Sequence, residues 1–260
     1  MMTDGVLVTA GNKRIGKAIA LALSRAGHFV VLHHHDSIAE TTSTLHELEN
    51  DGRIIQCDLG DYHDVENMLI ELSSWDVSIK HIINNASLFS VDALDSFTEL
   101  SFSDHMNINL RGPLQLARGL HKMLKDDERG SIVNILDSKV FALNAEFMSY
   151  TLSKFGLYGA TEIMAQALGP KVRVNGIAPG LTLISQTQNK ENFELASHMN
   201  FNGTPINVED IASSVLHLIN STSINGAVLP VDGGQKMMNF TRDVVNVATG
   251  ILEKNEGHNK

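Results

Sequence analysis

Cysteine is almost missing from this chain of 260 residues: Cys57 stands alone, without a partner for an intramolecular disulfide or for a thiolate metal site. That excludes redox cysteine chemistry and leaves Cys57 as a small buried hydrophobe. Positive charge is also short. Lys and Arg total 20 against 30 Asp and Glu, a net charge of −10, which argues against nucleic acid or an anionic membrane surface as partner. No run of about 18 apolar residues is long enough to span a bilayer. The opening "MMTDGVLVTAG" lacks the basic segment and apolar run of an export signal. A small-molecule partner and a cytoplasmic location are the expectations that remain.

What is present is an alternation of short β-branched runs with stretches of helical length. The runs are "GVLVTA", "FVVLHHH", "RIIQCDL", "HIINNAS", "SIVNILD", "VRVNGIAP" and "GAVLPVDGG". This rhythm predicts an α/β fold, a doubly wound parallel sheet with helices on both faces, built as a single domain over 1–250. The first helix is periodic through Ile15, Ala18, Ile19, Ala22, Leu23 and Ala26, with Gly27 as its stop. The polar, poorly periodic segment 183–204 predicts a loop or a pair of short helices over the substrate, with Leu183, Phe193, Met199 and Phe201 as candidate apolar contacts. Residues 251–260, ending in "EKNEGHNK", predict a flexible tail.

Two motifs carry chemistry. In "VLVTAGNKRIGKAIA", Gly11 and Gly16 stand between a strand and a helix, where glycine lets the backbone approach a pyrophosphate at the helix N-terminus. Tyr150 and Lys154 lie four residues apart, on one face of a helix. An ammonium beside the phenol favours phenolate, so Tyr150 is a candidate acid/base with its pKa drawn below about 10. Three successive histidines, His33, His34 and His35, do not predict a metal site, because neighbouring strand residues face opposite sides.

The chain resembles the short-chain dehydrogenase/reductase family along nearly its whole length. The resemblance rests on the Gly11-x-x-x-x-Gly16 turn, "CDL" at 57–59, "NNAS" at 84–87, Asn109, Tyr150-x-x-x-Lys154, "RVNGIAPG" at 173–180 and "VDGG" at 231–234. It implies a Rossmann-type fold of three αβα layers, a nicotinamide cofactor and hydride transfer. Gly11, Lys13, Arg14, Ile15 and Gly16 would cradle the phosphates, Asp58 and Leu59 the adenine, Asn85, Ala86 and Ser87 the ribose, and Pro179 and Gly180 the nicotinamide. Asn109 would interrupt a helix and hold water near Lys154. Assembly as a homodimer or homotetramer is implied as well.

The end of the second strand selects the cofactor. By count His34 occupies the place of the carboxylate that an NAD enzyme presents to the ribose 2′-OH, while Lys13, Arg14, His33, His35 and Ser37 can serve a 2′-phosphate. NADPH is the expected cofactor. Asp36 departs from the basic residue that the nearest subfamily tends to carry there.

In the family's common pattern a serine lies thirteen residues before the tyrosine, and here that residue is Asp137, with Ser138 one place later. Either Asp137 works with Tyr150, or it caps the following turn and Ser138 reaches the site through an irregular strand end. An ionised aspartate accepts hydrogen bonds only, so it suits a ring with N–H donors better than a ketone. That substitution resembles the pteridine reductases of the family. In "NNASLF", Ser87 and Phe89 stand where those enzymes carry a serine and a pterin-stacking phenylalanine, and Arg14 matches their substrate-side arginine. Arg14, Ser87, Phe89, Asp137, Tyr150 and Leu181 are therefore the expected substrate contacts for a dihydropterin or dihydrofolate. The alternatives are a general carbonyl reductase using Ser138, and an NADP-binding sensor without catalysis.

Overall fold

Each β-branched run becomes a strand of one parallel sheet. The computed structural model describes residues 3–185 and 188–258. Its strands are β1 (Thr3–Val8), β2 (Phe29–His34), β3 (Gly52–Gln56), β4 (Val77–Asn84), β5 (Gly130–Ile135), β6 (Val172–Pro179) and β7 (Val228–Val231), in the order β3-β2-β1-β4-β5-β6-β7. The order reverses between β1 and β4. In such sheets ligands bind at the carboxyl ends of the strands beside this switch point.

Alternation along each strand feeds two cores. Leu7, Val31 and Ile82 pack with α3 (Tyr62–Ser73), α5 (Gly112–Met123) and α6 (Met148–Leu168), whereas Val6, Val8, Val30, Leu32 and Ile83 pack with α1 (Arg14–Arg25) and α8 (Val208–Asn220). α1 stops where expected. Gly27 takes the left-handed conformation (φ 93°), and the His28 amide returns to the Leu23 carbonyl (3.1 Å).

α2 (Ile38–His46) follows β2, and α4 (Glu99–Met106) runs into a π-helical turn, Asn107–Arg111, before α5. Segment 183–204 contains one helix, α7 (Lys190–Ser197), and its residues 186 and 187 lie outside the described residues. The expected flexible tail is corrected over 251–258. α9 (Val244–His258) is helical there, because α7 packs against it and buried Asn192 donates to the Val245 carbonyl and the Thr249 hydroxyl (2.9 Å each).

Candidate active site

Thr9 joins the carboxyl ends of β1 and β4. Its hydroxyl donates to the Ile83 carbonyl (3.2 Å) and accepts from the amides of Asn85 and Ala86 (2.8 and 2.9 Å). Asn85 Nδ2 in turn donates to the Thr9 and Ala10 carbonyls (3.0 and 3.2 Å). Ala10 is itself left-handed (φ 48°), and a Cβ placed on Gly16 would stand 2.1 Å from its carbonyl oxygen and 2.5 Å from Asn85 Nδ2. Only glycine allows α1 to start this close to the strand end. Lys13 precedes α1 without a side-chain cap, and the first turn of α1 carries no acidic residue. The helix N-terminus thus offers N–H donors and a favourable dipole to an anion.

The three histidines separate by position. His33 is buried: its Nδ1 accepts from the Ala10 amide (3.1 Å), which leaves Nε2–H to donate to the Cys57 carbonyl (2.9 Å). Burial lowers its pKa to about 4, so the ring is neutral. The expectation that the His33 ring contacts the cofactor is corrected, since its Nδ1 braces the glycine turn from within and its Nε2 is taken by the Cys57 carbonyl after β3. His34 is buried too, but its Nδ1 has no hydrogen-bond partner among the described residues. His35 is exposed, 4.0 Å from Asp58 Oδ2, and exposed Asp36 accepts from the Ser37 hydroxyl (3.3 Å). Asp58 Oδ1 accepts from the Gly60 amide (2.7 Å), and Leu59 is buried beside it.

The Tyr150 hydroxyl donates to Asp137 Oδ2 at 2.8 Å. Asp137 also caps the single 3-10 turn Ser138–Val140, its Oδ1 accepting from the Lys139 amide (2.8 Å). β5 ends at Ile135, so the chain is already irregular at Asp137, and one carboxylate serves both the turn and the phenol. Buried Lys154, one helical turn past Tyr150, donates to the Ile135 carbonyl (2.8 Å), and its ammonium lies 5.8 Å from the Tyr150 ring centroid.

The expected drop in the Tyr150 pKa is not found. Burial raises the phenol well above 10 and the neighbouring Asp137 raises it further, so Tyr150 holds its proton. Burial likewise raises Asp137 above the ordinary carboxylate value, against the hydrogen bonds from Lys139 and Tyr150. Lys154 is lowered by burial to about 8, with Asp137 opposing.

Asn109 lies in the π-helical turn, which is the helix interruption expected of it. Its side-chain amide is engaged with protein groups. Nδ2 donates to the Leu88 carbonyl and the Ser153 hydroxyl (2.9 Å each), and Oδ1 accepts from the Leu88 amide (2.7 Å). Ser153 donates on to the Tyr150 carbonyl (2.7 Å). Asn109 therefore ties the segment carrying Ser87 and Phe89 to the helix carrying Tyr150.

Phe89 stacks on Phe147 (centroids 4.6 Å apart) and meets Tyr150 edge-on (4.8 Å), yet remains 39% exposed. The free part of its ring is a flat apolar platform beside the phenol. Ser87 is exposed next to it. Across the cleft Arg14, left-handed at φ 54°, donates to the Ile184 carbonyl (2.9 Å) and closes the glycine turn onto the 183–204 segment. Gly180 sits under Gln235, whose Oε1 accepts from the Leu181 amide (3.0 Å).

Residues 9–236 match the family model described as enoyl-(acyl carrier protein) reductase. The chain belongs to the short-chain dehydrogenase/reductase family. Among solved members, FolM alternative dihydrofolate reductase 1 from Brucella suis, in complex with NADP, is 36% identical with a TM-score of 0.86, covering 90% of this chain and 95% of that one. The Brucella canis protein of the same name, also complexed with NADP, is 35% identical with a TM-score of 0.84 over 90% and 94%. L-xylulose reductase of Caenorhabditis elegans is 28% identical over 88% of this chain and 94% of its own.

Several residues of this short-chain dehydrogenase/reductase site escaped the sequence reading. Thr9, Asp92, Phe147 and Gln235 act through long-range contacts that no local spacing announces. Asp92 is buried, and its Oδ1 accepts from the Ser149 amide (2.9 Å) while its carbonyl accepts from the Met148 amide (3.2 Å). It thereby caps α6, whose own preceding residue, left-handed Phe147, supplies no side-chain cap.

Proposed function

We infer that the protein is an NADPH-dependent reductase that takes a dihydropterin, free or as dihydrofolate, to its tetrahydro form. The bond from Tyr150 to Asp137 carries the reading. An acceptor-only carboxylate beside the acid suits a heterocycle that presents N–H groups, and it would oppose the charge growing on a ketone oxygen. Phe89 offers that ring a stacking face worth on the order of 1 kcal/mol beyond burial. The likeness to FolM alternative dihydrofolate reductases supports the same substrate class.

The residues fit the cofactor. Gly16 leaves a cradle that a Cβ would fill, α1 begins uncapped, and the buried, unpartnered Nδ1 of His34 stands where a carboxylate would repel a 2′-phosphate. By the family resemblance Lys13, Arg14, His35 and Ser37 would meet that phosphate, with the Asp36 carboxylate beside His34, and Asp58, Leu59, Asn85, Ala86, Pro179 and Gly180 would line the rest of the cofactor site. When bound, NADPH supplies the hydride taken up by a ring carbon of the substrate.

Tyr150 gives its phenolic proton to the ring nitrogen beside that carbon. Its raised pKa keeps this proton available at neutral pH. Asp137 fixes the phenol by its hydrogen bond and, because burial raises its affinity for a proton, can pass to the phenolate oxygen afterwards a proton taken up from solvent. The Lys154 ammonium stabilises the phenolate while it exists and is placed to hold the nicotinamide ribose. Phe89 orients the pterin, and Arg14 with Leu181 and the 183–204 segment excludes water from it. Exposed Leu152, Phe155 and Ile163 on α6 support a homo-oligomer, dimer or tetramer, through that face.

Dihydropterin-driven NADPH oxidation by Asp137→Ala and Ser138→Ala, measured side by side, tests the assignment. Asp137→Ala is expected to lose about 100-fold in kcat, with Ser138→Ala within about threefold of the parent. Loss confined to Ser138→Ala would hand the site to the carbonyl reductase reading.

A further inference from the structure

A buried cation lies beside the acid/base pair without a part in the scheme above. Lys139 donates its amide to Asp137 Oδ1, and its ammonium turns away to Asp243 Oδ2 (2.7 Å) and Asn144 Oδ1 (3.0 Å), 4.9 Å from the Phe147 ring centroid. The two charged side chains are only 9% and 13% exposed. Such a buried pair adds little net stability over an apolar pair of the same volume, so its field is the more distinctive contribution. Asp243 is held in turn from both sides. Its amide donates to Glu146 Oε2 (2.7 Å), Arg242 clamps Glu146 Oε1 (2.7 and 2.9 Å), and Asp243 Oδ1 accepts from the Val245 amide (3.0 Å) at the start of α9.

We propose that Lys139 and Asp243 are positioning residues that set the protonation balance of the Asp137–Tyr150 pair in opposite directions, so that the first turn of α9 fixes the pH range over which the acid works. This rests on the reading of Asp137 and Tyr150 as the acid/base pair. The charged and titratable groups around that pair are Lys139 in its own turn, Tyr150 and Lys154 on α6, and Asp243 before α9. Lys236 over the Phe141 ring (4.5 Å) and the Glu146–Arg242 pair stand farther out. Lys139 favours the Asp137 carboxylate, while Asp243 disfavours it and also disfavours the Tyr150 phenolate. The same anchor reaches the substrate segment, because Asn192 of α7 bonds to Val245 and Thr249 of α9.

The test compares Asp243→Asn, Lys139→Met, Lys139→Arg and the Asp243→Asn/Lys139→Met double variant. The readout is the carboxyl titration of Asp137, followed by carbon-13 NMR without substrate and assigned through Asp137→Asn. Asp243→Asn is expected to lower the Asp137 midpoint and Lys139→Met to raise it, each by on the order of half a pH unit. Lys139→Arg should leave it in place, and the double variant should fall between the two singles. The limb of the kcat profile set by this pair should move in the same sense.

Midpoints that stay put while thermal stability falls would reduce Lys139 and Asp243 to a brace and overturn the proposal. Should Lys139→Met fail to fold, Asp243→Asn against Lys139→Arg still decides it. Opposed NMR shifts in a protein that turns over no pterin would sustain the proposal and sink the substrate reading. Pterin turnover with unshifted midpoints would do the reverse.

Discussion

Gly16 has no room for a side chain, because a Cβ there would lie against Ala10 and Asn85. Gly16→Ala must push α1 away from the strand end. It is expected to cost about 1–3 kcal/mol in urea unfolding, as overpacking does, and to weaken NADPH binding at least tenfold by fluorescence titration. Tyr150, Lys154 and Asp137 were legible from spacing read against the family pattern. The direction of the Tyr150 pKa was not, because it depends on burial and on a carboxylate brought in from another element. Tyr150→Phe removes the proton but little volume. We expect kcat to fall by about 10²–10⁴ while NADPH affinity changes less than threefold.

At the scale of elements, all seven strands were legible, because β-branched runs bounded by turn residues have few other folds open to them. Helix ends held by distant partners were not. α6 begins after a left-handed phenylalanine and borrows its cap from Asp92, whose carboxylate takes the amide of Ser149, fifty-seven positions later in the chain. Asp92→Ala should therefore destabilise the protein by about 1–2 kcal/mol and lower kcat by shifting the Tyr150 turn. Thermal unfolding and turnover, measured on one preparation, check both parts. The helix over 251–258 escaped the sequence reading for a similar reason: its polar composition suggests a tail, while the packing of α7 and the bonds at Asp243 and Asn192 that anchor α9 come from distant segments.

For the whole molecule, strand alternation gave the layers, while the order that brings β1 beside β4 came from topology that no single segment states. Buried neutral histidines give the whole fold a pH dependence. Burial lowers His33 and His81 to about 4 each, and in the unfolded chain both return toward 6.5. Between those values the unfolded state binds more protons, so their contribution is complete above about pH 6.5 and is lost as pH falls toward 4. Asp137, raised by burial, works in the opposite sense, while His28 and His34, also lowered by burial, add to the effect of His33 and His81. Urea unfolding at pH 7 and pH 5 should show the protein less stable at pH 5, and equal stability would count against the buried neutral rings. The account's central claim is that the intact protein reduces pterins, and NADPH absorbance followed with dihydropterins, dihydrofolate and simple ketones tests it most directly. Oxidation driven by a dihydropterin or dihydrofolate and not by ketones is the predicted result; ketone turnover alone would contradict it.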